Sequence, residues 1–344
     1  MNGLLIGALA ASFLSHYTNA PALQNIKSVE QVVDLTSLQQ ALDRDFKQIE
    51  ASQGNTAQLN QALSGLINDL NQINGDFPVN QLGIRHLHPP RTTHKPKKIN
   101  SVVGLSAGDN GVASSDLQIA AQTIQTISVP TLKEKLGMAP DSSTNIVLFS
   151  SPQSYGTALL NAGVPRSQVK KIVSETGGLT AGTDIWIPLY ALQDQSELAN
   201  VLTHELTHAI FNQKGIGDNL PVWINEGLAW QNGMAAKQQV SLSKTQREED
   251  ALNADLQQAV DQGVLVSLAS DESAILSAPY NVEWEDYQAV QSLIQKYGTA
   301  KVDEFLKNVP TEGVNQSFLH AFGLPIKTFE QQFDKSLSAS QNAQ

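Results

Sequence analysis

Cysteine is absent from this 344-residue chain. That excludes disulfide staples, thiolate metal sites and cysteine nucleophiles, and leaves histidines and carboxylates as the side chains able to hold a metal ion. Charge is sparse, at 16% of residues, and basic charge is sparser still: 22 Lys and Arg against 33 Asp and Glu give a formal net charge of −11. A general electrostatic grip on nucleic acid or anionic lipid needs the opposite balance, so nucleic acid is not an expected partner. Long apolar runs are also missing. The longest, Leu4 to Leu14, falls short of the ~20 residues of a membrane span and resembles the core of a secretory leader. Small residues Thr18 and Ala20 precede a possible cut ahead of Pro21, although no Lys or Arg stands before the run. The expectation is a leader over residues 1–20, a secreted or cell-surface protein, and no stable membrane span once the leader is gone. What is present, 41% hydrophobic residues, suffices to bury a core.

Past Pro21, Leu35, Leu38, Leu42, Phe46 and Ile49 recur at helical intervals, as do Leu59, Leu63, Leu66, Leu70 and Ile73 beyond Gln53-Gly54-Asn55. This predicts a helical hairpin over 21–84. Residues 85–112 read as a basic, proline-containing linker with Arg85, Arg91, Lys95, Lys97 and Lys98 beside Pro89, Pro90 and Pro96. His86, His88 and His94 lie in it, a solvated segment in preference to a metal site. The charge changes near residue 112: 8 basic and 8 acidic residues up to that point, 14 and 25 beyond it. A mixed α+β domain is therefore expected over 113–337, with a disordered tail at 338–344.

Within that domain a helix capped by Ser115 carries Leu117, Ala120, Ala121, Ile124 and Ile127 inward, and Asn145 to Phe149 form a buried strand. A short helix follows at Ser167 to Val173. Gly177 to Gly182 reads as a turn, and Asp184 to Leu189 as a strand that Pro188 assigns to the sheet edge. An extended peptide could add alongside such an edge. Ser196 to Asn212 is a helix closed by Gly215. After Pro221 the pattern is helix and loop only: Pro221 to Met234, Ser243 to Gly263, Trp284 to Tyr297, Lys301 to Asn308 and Ile326 to Leu337.

The helix from Ser196 carries His204-Glu205-Leu-Thr-His208, an H-E-x-x-H sequence. Imidazoles four residues apart share a helix face, with β-carbons about 5–6 Å apart, close enough to bind one small ion. Catalytic zinc takes three protein ligands and leaves a position for water. Glu226, in Leu220-Pro-Val-Trp-Ile-Asn-Glu-Gly-Leu-Ala229 on the next helix, is the candidate third ligand. Glu205 lies about 100° round the helix from His204, placed to act as general base on the attacking water. Tyr287 is the candidate donor to the developing oxyanion; Tyr280 competes for that role and His320 is a weaker alternative.

Asn200-Val-Leu-Thr-His-Glu-Leu-Thr-His-Ala209 followed by Leu220 to Ala229 resembles the peptidase MA-like family of gluzincin zinc metalloproteases. The resemblance extends more loosely over residues 113–337. It implies a thermolysin-like two-lobed fold, one catalytic Zn2+ on His204, His208 and Glu226, Glu205 as base, and a protein or peptide substrate. One departure stands out. Better-known gluzincins often place an acid four residues after the ligand glutamate to orient a ligand imidazole, and here that position is Trp230. Asp218, Asn225 or a backbone carbonyl are candidates for the orienting partner. Two other readings stay open: a non-catalytic zinc-bound scaffold, and a role for residues 1–112 as an inhibitory segment.

Overall fold

The computed structural model describes residues 97–99, 103–141, 144–270, 275 and 278–339. The expected leader, the hairpin, the three linker histidines and the tail from residue 340 lie outside the described residues. From residue 103 to 164 and from 169 onward, the described chain belongs to one compact unit. Its class is α+β, mostly helical, with one small sheet.

Strands β1 (Lys97–Ile99) and β2 (Val103–Ala107) open the sheet. Both fall inside the stretch expected to be linker, which corrects that boundary. The excess of basic residues hid a short apolar strand, Val-Gly-Leu-Ser-Ala, that is buried along its whole length. β3 (Thr144–Phe149), β4 (Leu179–Ala181) and β5 (Asp184–Pro188) complete a sheet of order β1-β2-β3-β5-β4. β2, β3 and β5 run parallel; β1 and β4 are antiparallel borders.

Asp184–Pro188 is thus an interior strand and not the expected edge. Proline is tolerated because β4 pairs only with Asp184 to Trp186, so the residue without an N–H lies beyond the reach of that ladder. The true edge is Leu179–Ala181, inside the segment read as a turn.

Both sheet faces are covered, which explains why Ile146-Val-Leu-Phe149 is apolar without alternation. The pleat sends Leu105, Ile146, Leu148, Ile185 and Ile187 to one core and Val147, Phe149, Leu179 and Trp186 to the other. The second core is closed by Tyr155, Leu159 and Ile172 from α3 (Pro152–Asn161) and α4 (Arg166–Glu175). The first receives α1 (Ser114–Thr123), which runs through a π-helical stretch, Ile124–Ser128, into α2 (Val129–Leu136). Ser115 is not its cap: the helix starts one residue after Ala113, whose N–H donates to Asp116 at 3.1 Å.

Against the same face lies α5 (Gln195–Gln213), followed by α6 (Val222–Val240), α7 (Leu242–Gln262), α8 (Val282–Tyr297), α9 (Thr299–Glu312), α10 (Val314–Phe322) and α11 (Ile326–Ala339). α10, like α2 and α3, is missing from the sequence reading; it is only 9 residues long and buries Phe318 and Phe322 against Phe305. Two glycines inside α6 explain its tight packing. A Cβ at Gly233 would meet the Asn200 carbonyl oxygen on α5 at 3.0 Å, and one at Gly227 would strike Asp286 and Val290 on α8. Glycine costs a helix about 1 kcal/mol relative to alanine, so its presence twice marks close approach of backbones on two sides. Among the described residues no helix is long and apolar enough to cross a membrane.

Candidate metal centre

α5 is capped by Asp194, two residues before the expected Ser196. Its carboxylate accepts from the Ser196 and Glu197 N–H groups at 2.7 and 3.4 Å, the role of an N-cap. Glu197 reciprocates by accepting from the Gln193 N–H at 2.7 Å. Gly215, with φ +65°, follows the helix end as expected. This fixed helix presents His204 and His208 on one face, ring centroids 4.8 Å apart and Nε2 atoms 3.0 Å apart.

α6, entered through Pro221, supplies Glu226. Its Oε2 stands 3.5 Å from His204 Nε2 and 3.4 Å from His208 Nε2. The carboxylate is 0% exposed, and neither oxygen has a hydrogen-bond partner. A buried carboxylate left so is costly unless a cation completes it. Donors around an ion bound tetrahedrally at ~2.0–2.1 Å stand roughly 3.3–3.4 Å apart; the two carboxylate–imidazole distances are close to that, and the two Nε2 atoms stand nearer, at 3.0 Å. His204, His208 and Glu226 could therefore hold a metal ion.

The electrostatics of the cluster agree with a site built for a positive charge. Burial lowers the affinity of His208 for a proton, but the Glu226 carboxylate, with Glu205 and Asn225, overrides this and raises its pKa to about 9. Burial pushes the Glu226 pKa upward, and His208 and His204 together reverse that and hold it well below the usual carboxylate range. A proton shared among these groups occupies the place of the ion's charge, so a metal would displace it.

Glu205 is beside the triad and not among the three donors. It too is buried, which raises its pKa; His204, His208 and the Thr180 hydroxyl oppose that rise. Thr180 Oγ1 donates to Glu205 Oε2 at 2.6 Å. The pleat explains the contact: Leu179 faces the second core, so Thr180, next on β4, faces α5. Gly178 completes the seat, since a Cβ there would lie 2.7 Å from both Cγ and Oε1 of Glu205. Nothing in the sequence marks Thr180 or Gly178 for this role; a threonine in a Gly-rich turn carries no signal of such a partner.

Of the candidate orienting groups, Asn225 meets a ligand. His208 Nδ1 lies 2.9 Å from Asn225 Oδ1, while Asn225 Nδ2 donates to the Gly217 carbonyl at 3.2 Å. With the amide so anchored, Nδ1 carries the proton and Nε2 is free for an ion. Asp218 is exposed. Trp230, standing where an acid was expected, lies T-shaped to His204 at 6.1 Å and donates its Nε1–H to Glu283 Oε2 at 2.7 Å.

The oxyanion candidates have other partners. Tyr287 stacks on Trp284 at 4.3 Å, and its hydroxyl is engaged by Gln291 and Glu249. The Tyr280 hydroxyl donates to Glu285 and accepts from the Val266 N–H. His320 is exposed beside Glu312 and Glu304. The sequence reading missed Glu283 and Asp286, both buried, because acids in or just past the first turn of a helix read as ordinary solvent-facing complements to its dipole. Burial is the main cause that raises both pKa values well above the usual range; the Glu226 charge adds to it for Glu283, and Glu285 and Glu226 for Asp286.

No curated protein matches the chain. The segment from the start of α5 to the end of α11, residues 193–339, which holds both histidines, Glu205 and Glu226, matches the peptidase MA superfamily.

Proposed function

We propose that this chain is a zinc-dependent peptidase that hydrolyses protein or peptide substrates with Glu205 as general base. The observation that carries the reading is the Glu226 carboxylate, buried, without a hydrogen-bond partner, and within 3.5 Å of two imidazole nitrogens. Two imidazoles and one carboxylate suit zinc better than the hard cations, which take all-oxygen sets. Zinc held there would supply Lewis acidity toward the scissile carbonyl and lower the pKa of water. Glu205 takes the proton of the attacking water on a carboxylate oxygen and returns it to the departing amide nitrogen. Thr180 holds Oε2 of that carboxylate, which leaves Oε1 for the proton. The strand edge open to an extended substrate is β4, whose Thr180 already touches the base; this replaces Asp184–Leu189 in that role. Tyr287 is not carried into the reading, because its hydroxyl is occupied. The Leu4–Leu14 run supports export of the chain.

The test combines metal analysis of the purified chain with a peptide-library digest, with and without a chelator. Glu205→Gln is expected to keep one zinc per chain and to lose hydrolysis by about 10²–10⁴-fold. Stoichiometric zinc with no cleavage of any peptide by the unaltered chain would return the non-catalytic scaffold reading.

A further inference from the structure

The two ligand imidazoles are fixed in different ways. His208 is held by a hydrogen bond from Nδ1 to Asn225. For His204 no hydrogen bond to Nδ1 is seen among the described residues. What braces its ring instead is the indole of Trp230, T-shaped to it at 6.1 Å and 88°. Trp230 sits one helical turn after Glu226 on α6, so it and the third ligand share a face.

That indole is itself fixed from α8. Trp284 meets it T-shaped at 5.8 Å, and Glu283 Oε2 accepts its Nε1–H at 2.7 Å with both residues buried. Aromatic packing alone leaves a ring able to slide in its plane; a hydrogen bond at one edge does not. Glu283 Oε1 has no partner. A carboxyl buried with one oxygen unmatched costs stability, and a residue needed only to fill this space would be apolar. Gly227 permits the close approach of α8 that brings Glu283 to the indole.

We propose that Glu283 is a positioning residue of the metal centre, setting the orientation of His204 through the hydrogen bond it accepts from Trp230. The inference rests on the reading of the triad as a metal site, though not on peptidase activity.

The experiment is a Zn2+ titration of the full-length, metal-free chain against a chromophoric chelator, repeated with Co2+ to read the ligand-field bands. Glu283→Leu and Trp230→Phe are each expected to weaken Zn2+ binding about 10-fold or more, the scale seen when outer partners of metal ligands are removed, and to shift the Co2+ bands. Glu283→Gln keeps an acceptor oxygen for the indole and is expected to stay within about 3-fold of the unaltered chain. In the double variant the two losses are expected not to add, since both break one contact. Unchanged affinity in Trp230→Phe overturns the proposal even if Glu283→Leu fails to fold. Equal losses in Glu283→Gln and Glu283→Leu also overturn it, by assigning the effect to charge. So do additive losses in the double variant. A chain that takes up no Zn2+ overturns this inference together with the proposed function, whereas tight binding with no hydrolysis overturns only the latter.

Discussion

Replacing Gly227 by alanine is expected to destabilise the domain although alanine is the better helix former. The residue follows Glu226 in the middle of α6, where exchange of glycine for alanine would by itself add about 1 kcal/mol. The added methyl, however, would lie 2.6 Å from Val290 Cγ2, 2.8 Å from the Asp286 carbonyl carbon, and closer still to its oxygen. Two of those atoms are backbone, so relief requires α8 to move away from α6. Overpacking costs typically ~1–3 kcal/mol, and a rigid obstacle belongs in the upper half of that range. The net effect is then a loss of roughly 1–2 kcal/mol, or about 2–8 °C in Tm for a domain of this size. Gly156→Ala is the matched control: it also lies inside a helix, but its methyl would find only Val169 and Val173 side-chain atoms at 3.4 Å, and it is expected to raise stability by up to about 1 kcal/mol. Thermal and urea unfolding of both variants with a chelator present removes any contribution from bound metal. A Gly227→Ala midpoint at or above that of the unaltered chain would refute the claim that the α6 and α8 backbones are in contact there.

Stability of the metal-free protein should fall as pH rises. His208 has its pKa raised from 6.5 to about 9, so its contribution is complete below pH ~6.5 and lost up to pH ~9, amounting to about 3 kcal/mol at most. Glu285, raised by burial from 4.5 to about 7, acts in the same sense at lower pH, whereas the depressed Glu226 withdraws stability only in acid. Because metal replaces the proton, the gap in Tm between zinc-loaded and chelated protein should widen from pH 6 to 9; a narrowing gap contradicts the assignment. Thr180→Val removes the hydroxyl that holds Glu205 and should lower peptide hydrolysis about 10-fold with zinc content unchanged, while Thr180→Ser restores it; equal activity of all three would dismiss the contact. Asn225→Ala should weaken zinc binding by about 10–100-fold in the chelator titration, and an unaltered affinity would mean that the His208 ring is fixed by packing alone.

The divide between local and non-local information runs through individual residues. His204 and His208 were legible because helical pitch alone brings residues four apart together, and Glu205 followed from the same pitch. Glu226 was legible as a second helix that had to fold back. Asn225 could be named only as one of several candidates, since nothing local says which polar group reaches an imidazole. The edge strand was misplaced because Pro188 is read as a mark of the border, when it only requires that the partner on one side, β4, stop short of the strand's last residue. Thr180 and Glu283 were invisible as parts of the centre: each is an ordinary residue for its own segment. The sequence by itself determined the chemistry available to this protein, a two-histidine, one-carboxylate donor set with a second carboxylate beside it, because covalent spacing and helix geometry carry that information over a few residues. Only the tertiary structure decided which hydroxyl holds Glu205, which amide meets His208 and which buried acid holds the indole beside His204, because those contacts depend on how β4 meets α5 and α8 meets α6, and that is set by packing between segments distant in the chain.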